Sequence, residues 1–369
     1  MRGPDDQLER DIYEAVSHGF EWIFKTGQGQ AHWKLVDHTA LAALALVLRE
    51  PKNSPWILSI KKWLVSQQTE LEPGIASWDE SVSDTSFAII ALLRMGVQPN
   101  DPVIQKGLAF LNKLFYANGR ANWEDEPWET SWAILAISLT GNSDYLDEAC
   151  QGASWLMDIQ DANGAIIAPH YTAYSVKVAQ TVCKRQSLKG YCMLDEHKYR
   201  INSKKAADYL LRIMDEEVLW TGEAWSNGQI LWALASTGHF PFEDQATVRK
   251  VVDWFVRTQQ PDGNWYDAED TACAIIGLVA LLRGYLLQQT DGQPQKEDVS
   301  TIICNHLRRM YEAPRLVLGR KFIQVQEDGT TTLNFSPTTL KAAAILFGII
   351  SGLTVVIALW DFIRESFGL

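Results

Sequence analysis

Three carboxylic acids, Asp267, Glu269 and Asp270, stand in one short segment that reads DAEDTA. A nearly all-apolar stretch, Ala272 to Leu282, follows directly. Apolar surroundings and neighbouring carboxylates both raise the pKa of a carboxyl group, so such a group can hold a proton at neutral pH and act as a general acid. The alternative is structural, because acidic residues also cap helices, and Asp270 is predicted to be the N-cap of the helix that follows.

The carboxylates must be positioned by a pair of helices. Thr247 to Gln259 has apolar residues at helical spacing, and Pro261 and Gly263 then break the helix before Trp265. The stretch Ala272 to Leu282 is apolar nearly all round. A helix of that kind must be buried, which predicts an inner helix covered by an outer one.

The same helix pair recurs six times along the chain. Aligned without gaps, the inner helices begin with a variable column, a column with threonine in five of its six places, and a column of small residues. A tryptophan precedes five inner helices, and Ile166 stands near that place in the fourth. The variable column is His38, Asp84, Glu129, Tyr171, Ser226 and Asp270, the threonine column is Thr39, Thr85, Thr130, Thr172, Asn227 and Thr271, and the tryptophans are Trp33, Trp78, Trp123, Trp225 and Trp265.

Composition excludes several classes of protein. The chain has 369 residues and a formal net charge of -12, which argues against a nucleic-acid surface. Five cysteines without a CxxC pair indicate a reducing compartment, and the first residues lack the apolar core of a signal peptide. A polar insertion that begins near Cys183 lengthens the fourth connection. It offers Cys183, Cys192 and His197, with His170, at a spacing that fits no standard zinc pattern, so we expect no metal and no cofactor.

The chain is predicted to have three parts. Residues 1–287 carry the six repeats, residues 288–337 a polar linker, an amphipathic helix and a β-hairpin, and residues 338–369 a tail. The hairpin is predicted over Phe322 to Phe335, because the sequence alternates around Asp328-Gly329.

The tail is predicted to anchor the protein in a membrane. Ala342 to Trp360 runs without a charge and is long enough to span the hydrocarbon core, whereas the alternative is a closing helix packed on the ring. Basic residues upstream place the folded part on the cytoplasmic side. Small residues that recur every four positions on one face predict a homo-oligomer, and these are Ala344, Gly348 and Gly352.

The segment Gln259 to Trp265 resembles the QxxxGxW repeat of the squalene–hopene cyclase and protein prenyltransferase superfamily, and weaker copies precede it. The resemblance covers roughly residues 5 to 287 and implies an all-α fold, an (α/α)6 toroid of six inner and six outer helices. For the prenyltransferase branch it implies a zinc site of Asp, Cys and His. Asp270 and Cys273 are present, but the final repeat has no histidine to complete that site.

The segment DAEDTA also resembles the DxDDTA motif of class II terpenoid cyclases, whose middle acid protonates an alkene or epoxide. Carried over by position, Glu269 would be that acid, with Asp267 and Asp270 as its hydrogen-bonding neighbours. Aromatic rings could then stabilise carbocations, and the candidates are Trp78, Trp123, Trp132 and Trp265.

If the inner helices run parallel, their N-termini meet at one mouth of the ring. Each N-terminus carries roughly half a positive charge, which the carboxylates there offset. A ligand with polar donors and an apolar or aromatic body is therefore expected. The predicted ligand-binding residues are His38, Asp84, Trp78, Trp123, Glu129, Tyr171 and Trp265.

Three functions stay open, and with them the question whether the protein is an enzyme. The first is a membrane-anchored binding protein, sensor- or effector-like, whose tail helix oligomerises. The second is a class II terpenoid cyclase acting on an isoprenoid, and the third a structural membrane scaffold. The first is favoured because class II cyclases usually enclose substrate between two helical domains, and this chain has one.

Overall fold

The computed structural model describes residues 5–27, 32–117, 119–189, 196–289, 323–325 and 331–333. These residues fall into two compact units, one within Met1–Leu307 and the other within Arg308–Leu369. The first unit consists of helices and one short β-ribbon. The second contributes strands β3 (Ile323–Val325) and β4 (Thr331–Leu333), which pair antiparallel and confirm the predicted hairpin.

The first unit contains six consecutive pairs of outer and inner helices, which confirms the predicted (α/α)6 toroid. The outer helices are α1 (Asp5–Thr26), α3 (Pro55–Ser66), α5 (Pro102–Ala117), α7 (Leu146–Asp158), α9 (Glu196–Arg212) and α11 (Gln245–Thr258). The inner helices are α2 (Val36–Leu46), α4 (Val82–Arg94), α6 (Pro127–Thr140), α8 (Pro169–Lys189), α10 (Ala224–Thr237) and α12 (Ala268–Gln289).

Two local features differ from the sequence-based expectation. A two-stranded ribbon, β1 (Thr69–Glu72) and β2 (Ile75–Ser77), occupies a connection predicted to be a plain turn. The polar insertion after Cys183 is in part helical, because α8 continues to Lys189 and α9 begins at Glu196. Alternation and apolar periodicity are weak in both segments, so pattern alone did not reveal them.

The first and last helix pairs contact each other and close the ring. Helix α1 packs on α11 and α12, where the Gln259 amide donates to the Ala15 carbonyl at 2.9 Å and Arg249 pairs with Asp11 at 2.6 Å. Gln259 also donates to the Gly263 carbonyl at 2.8 Å. A Cβ at Gly263 would stand 2.4 Å from the His18 carbonyl oxygen. The QxxxGxW segment thus combines a glutamine that ties the turn to the next outer helix with a glycine that permits close approach.

The threonine column has one structural role in all six units. Its side-chain oxygen accepts a hydrogen bond from the backbone N–H of the residue that ends the preceding turn, at 2.8–3.3 Å. In the fifth unit Asn227 replaces threonine and accepts from Trp220. The repeat tryptophan there is therefore Trp220, seven residues before Asn227 as Trp78 is before Thr85. The prediction of Trp225 was wrong because Trp225 lies inside the inner helix, as the second residue of α10. Each buried turn amide is satisfied in this way.

Helix α12 begins earlier than predicted. It starts at Ala268, and the Asp267 side chain accepts a hydrogen bond from the Asp270 N–H at 3.0 Å. Asp267 therefore caps the helix, and the predicted N-cap, Asp270, lies in the first turn. This frees the Asp270 carboxylate for other contacts.

Among the described residues, one helix, Ala268–Gln288, is long and apolar enough to cross a membrane, and 67% of its apolar window is buried in the ring. That burial is typical of a core helix. The predicted anchor, Ala342 to Trp360, and the small residues Ala344, Gly348 and Gly352 lie outside the described residues.

Candidate functional site

The six inner helices all begin at the same end of the ring, which we call the mouth. The variable column of the repeat is the third residue of every inner helix. The second residue of each helix belongs to the mouth as well, and these residues are Asp37, Ser83, Trp128, His170, Trp225 and Glu269. Neighbouring inner helices contact one another through these two positions, as in Ser83 to Glu129, His38 to Glu269, Trp128 to His170 and Trp225 to Asp270.

One side of the mouth carries an acid cluster, formed by Asp37, His38, Asp267, Glu269 and Asp270. The His38 Nε2 atom lies 3.6 Å from Glu269 Oε2 and 3.9 Å from Asp267 Oδ2. The Asp270 Oδ1 atom accepts the backbone N–H of Trp225 at 2.8 Å. The first and last inner helices of the ring thus bring together the three carboxylates predicted as catalytic and one predicted ligand-binding residue, His38.

Burial is the main cause of the raised pKa values of the carboxyl groups in this cluster. It raises the pKa of Glu269 to about 8, and the charges of Asp37, Asp267, Asp270 and Asp84 add to the effect. Burial likewise raises the pKa of Asp270 to about 6. Glu269 therefore carries its proton at neutral pH, which is the state that a general acid requires.

Two further mouth carboxyls have raised pKa values. Burial raises that of Glu129 to about 7, although Ser83 Oγ donates to Glu129 Oε1 at 3.1 Å and opposes the rise. Burial also raises the pKa of Asp84. Both residues stand where they were predicted, and Asp84 lies close enough to Asp37 for the charge of Asp37 to add to that rise.

These shifts predict that the protein melts at lower temperature as pH rises from about 6.5 to about 8. A carboxyl whose folded pKa exceeds its unfolded value favours folding at low pH, and the gain disappears as pH passes the folded pKa. Below about 6.5 the half-buried, neutral His170, whose pKa desolvation lowers to about 4, acts in the opposite direction. Calorimetry should therefore show a fall of roughly 3–6 °C over this window. Glu269→Gln should flatten the profile, and an unsloped parent profile would contradict the assigned shifts.

The opposite side of the mouth carries an aromatic cluster, formed by Trp128, His170, Tyr171 and Trp225. The His170 ring centroid lies 4.3 Å from Tyr171, 4.9 Å from Trp225 and 5.9 Å from Trp128. All four residues are half-buried. Tyr171, a predicted ligand-binding residue, is therefore at the mouth, beside three rings that the sequence reasoning did not select as ligand-binding.

Three predicted tryptophans lie away from the mouth. Trp78 and Trp123 are fully buried and Trp265 is 5% exposed. Their indole N–H groups donate to the carbonyls of Leu64, Leu111 and Phe255 on outer helices, at 2.7–2.9 Å. These rings pack between the inner and outer layers, so their position gives them a structural role.

The bore of the ring, lined by the inner helices, is crossed by large side chains. Trp132 of α6 and Trp232 of α10 stack with their centroids 6.5 Å apart, although α8 stands between their helices. Tyr174 of α8 hydrogen-bonds Gln229, whose amide lies 3.4 Å from the Cys273 sulfur. Trp132 is therefore the predicted cation-stabilising ring that does face the interior.

The described residues contain one group of side chains that could hold a metal ion. Donor atoms of Asp37, His38 and Glu269 lie within 4.8 Å of one another. No metal site was predicted, and the sequence does not reveal this juxtaposition because its residues belong to the first and last repeats. Of the ligands considered there, Cys192 lies outside the described residues. A proton on Glu269 and a cation are mutually exclusive occupants of this group.

Comparison with known proteins supports the fold. No protein-family model matches the chain, and no curated protein matches it. Among solved structures, the toroid has the fold of type II terpene cyclases. A variant of the type II terpene cyclase MstE from Scytonema, in complex with its substrate geranylgeranyl dihydroxybenzoate, aligns with a TM-score of 0.55 at 10% identity, over 76% of this chain and 99% of its own.

Two more structures give the same result. Another variant of MstE, in complex with merosterolic acid A as product, aligns with a TM-score of 0.54 at 10% identity, over 75% of this chain and 99% of that chain. A protein from Actinoplanes aligns with a TM-score of 0.54 at 16% identity, over 73% of this chain and 99% of its own. The alignments establish a shared terpenoid cyclase-like fold, and at identities this low they establish the fold alone.

Proposed function

We propose that the toroid is a class II terpenoid cyclase that protonates an isoprenoid ligand, with Glu269 as the acid. The observation that carries the proposal is the half-buried carboxyl of Glu269, which lies 3.6 Å from His38 in the acid cluster and whose pKa of about 8 keeps it protonated beside an aromatic bore. Asp267 and Asp270 raise that pKa further, so their role is positioning and electrostatic.

The proposed reaction is an isomerisation. The Glu269 carboxyl gives its proton to a terminal alkene, which leaves a tertiary carbocation on the substrate. An internal alkene attacks this cation, a carbon–carbon bond forms, and the final cation loses a proton to water. His38, 3.6 Å from Glu269, is placed to return a proton to the carboxylate. Substrate and product therefore have equal mass.

A single toroid is sufficient for this proposal. A binding protein was predicted first because class II cyclases usually enclose substrate between two helical domains. About three quarters of this chain, however, aligns with 99% of a type II terpene cyclase that holds an isoprenoid substrate. A single toroid is thus no argument against cyclisation.

The direct test is incubation of the full-length protein, in mild detergent, with geranylgeranyl-bearing alcohols and arenes in D2O. A cyclase should yield cyclic products with one deuterium at the carbon that received the proton. Recovery of unchanged substrate from the whole panel would instead support the second candidate, a protein that binds its ligand without turnover.

The second candidate is favoured by the crossed bore. Tyr174, Gln229 and Cys273 form a chain of contacts between α8, α10 and α12, and Trp132 stacks on Trp232. A ligand held only at the mouth would suit a sensor. Native mass spectrometry of the detergent-extracted protein would then show a retained small molecule, whereas a purely structural scaffold would retain none.

Membrane anchoring through residues 342–360, with the toroid on the cytoplasmic side, remains part of the proposal. We expect the protein to form homo-oligomers through the face that carries Ala344, Gly348 and Gly352, because small residues let helices approach closely. The double variant Gly348→Leu and Gly352→Leu should dissociate the oligomer in native mass spectrometry. Ile350→Leu, on the opposite face of a helix with that spacing, is the control. An unchanged subunit number would remove the oligomerising role.

A further inference from the structure

The aromatic cluster has a property that proton-initiated cyclisation does not use. The rings of Trp128, His170 and Trp225 meet at steep angles of 63–85°. No two of these three rings therefore lie parallel with their faces stacked on each other. The negative faces of aromatic rings attract organic cations. Because the residues are half-buried, a cation here would be partly desolvated, which strengthens that attraction.

Two hydrogen-bonding atoms beside these rings have no partner among the described residues. They are Glu129 Oε2 and His170 Nδ1, and both are shielded from solvent. Glu129 directly follows Trp128 at the start of α6, and the Glu126 and Glu129 carboxyls lie close enough to Tyr171 to contribute to its raised pKa. A buried polar atom without a partner is destabilising, and a hydrogen-bond donor on a ligand would satisfy it.

The charges at the mouth determine whether a cationic or an anionic ligand is favoured. The described turns that lead into the inner helices are rich in acidic residues besides the acid cluster, and those directly before the inner helices include Asp79, Glu80, Glu124, Asp125, Glu126 and Glu223. Among the cations of these turns, Arg120 is paired with Asp125, and Lys34 belongs to the first unit, next to the acid cluster. Acidic side chains therefore outnumber basic ones in these turns, which disfavours a phosphate or carboxylate at the mouth.

We infer that the aromatic cluster, together with Glu129, binds the head of an organic ammonium compound that carries no phosphate. The inference rests on the proposed function only in assuming that a small molecule enters the mouth. Trp225 connects the two sides, because its backbone N–H donates to Asp270. A ligand whose ammonium head sits on the aromatic cluster can thus direct its apolar part toward the acid cluster and the bore.

The test uses three small probes on the full-length protein: choline, its neutral isostere 3,3-dimethylbutan-1-ol, and phosphocholine. Isothermal titration should show choline binding at least about tenfold more tightly than the isostere, since a partly desolvated cation–π contact contributes about 1–2 kcal/mol. Phosphocholine, with an anion next to the ammonium group, should bind more weakly than choline.

Variants locate the site. Trp128→Leu keeps an apolar side chain but removes the π face, so it should weaken choline binding about tenfold. Trp63→Leu, on outer helix α3, is the matched control and should leave binding unchanged. Thermal melting of each variant separates loss of binding from loss of folding. Equal affinity for choline and its isostere, or preference for phosphocholine, would overturn the inference.

Failure of this inference and failure of the cyclase proposal can be told apart. Choline binding that persists in Glu269→Gln, with no product from any substrate in the parent protein, would support the ammonium site and remove the catalytic assignment. Cyclisation of a neutral isoprenoid with no choline binding would do the reverse.

Discussion

Glu269→Gln is expected to abolish cyclised, deuterium-labelled product while leaving the ring folded. Glutamine has nearly the same shape as protonated glutamic acid and, like it, carries no charge. It cannot release a proton to an alkene. General acids contribute about 10²–10⁴-fold to rate, and here the proton starts the reaction, so product should fall by at least about 10³-fold. Gas chromatography with mass spectrometry measures the loss.

Two companion variants make this result specific. Glu148→Gln, a buried glutamate on outer helix α7 that accepts from Tyr116 at 2.6 Å, undergoes the same chemical change away from the mouth and should keep full activity. Glu269→Asp keeps the acid but retracts it by one methylene, and a displacement near 1 Å can cost about 100-fold. Undiminished turnover in Glu269→Gln would remove Glu269 from the mechanism.

The toroid itself could be predicted because its signal is repeated. A threonine at the fourth position of each inner helix satisfies the same buried turn amide in five units, and Asn227 does so in the remaining one. The register of this column does not depend on any distant contact. The fifth repeat carries two tryptophans, Trp220 and Trp225, and there the alignment selected the wrong one.

The site was predicted only in part, because it depends on which repeats the closed ring makes neighbours. The third residues of the inner helices were recognised as a column, whereas Trp128, His170 and Trp225 stand one position earlier and were not. Asp37 meets Glu269 across the closure of the ring, over the full length of the repeats. Asp37 and Glu269 are both the second residue of their helices, and this common position was the signal that the sequence offered. The filling of the bore by Tyr174 and Trp232 depends on ring diameter, which no local pattern encodes.

The fit between two inner helices sets the geometry of the acid cluster. Helices α10 and α12 pack more extensively than any other pair in the described part of the chain. A Cβ at Gly228 would lie 2.3 Å from the Cys273 carbonyl oxygen, and one at Gly277 would lie 2.5 Å from the Gly228 carbonyl oxygen. Both obstacles are backbone atoms, so they cannot rotate away.

Gly228→Ala is therefore expected to destabilise the ring by about 2–4 kcal/mol, although alanine usually stabilises a helix by about 1 kcal/mol relative to glycine. The methyl group must push α12 away from α10. That shift lengthens the bond from the Trp225 N–H to Asp270 and displaces Glu269, the second residue of α12, so activity should fall with stability.

Ser236→Ala is the matched control, since it adds no atoms on the exposed face of the same helix and should change the free energy of unfolding by no more than about 0.5 kcal/mol. Urea denaturation of both variants measures the difference. If Gly228→Ala proves as stable as the parent, the two helices must separate without cost. The close backbone contact would then not be what holds the carboxylates of α12 against the mouth.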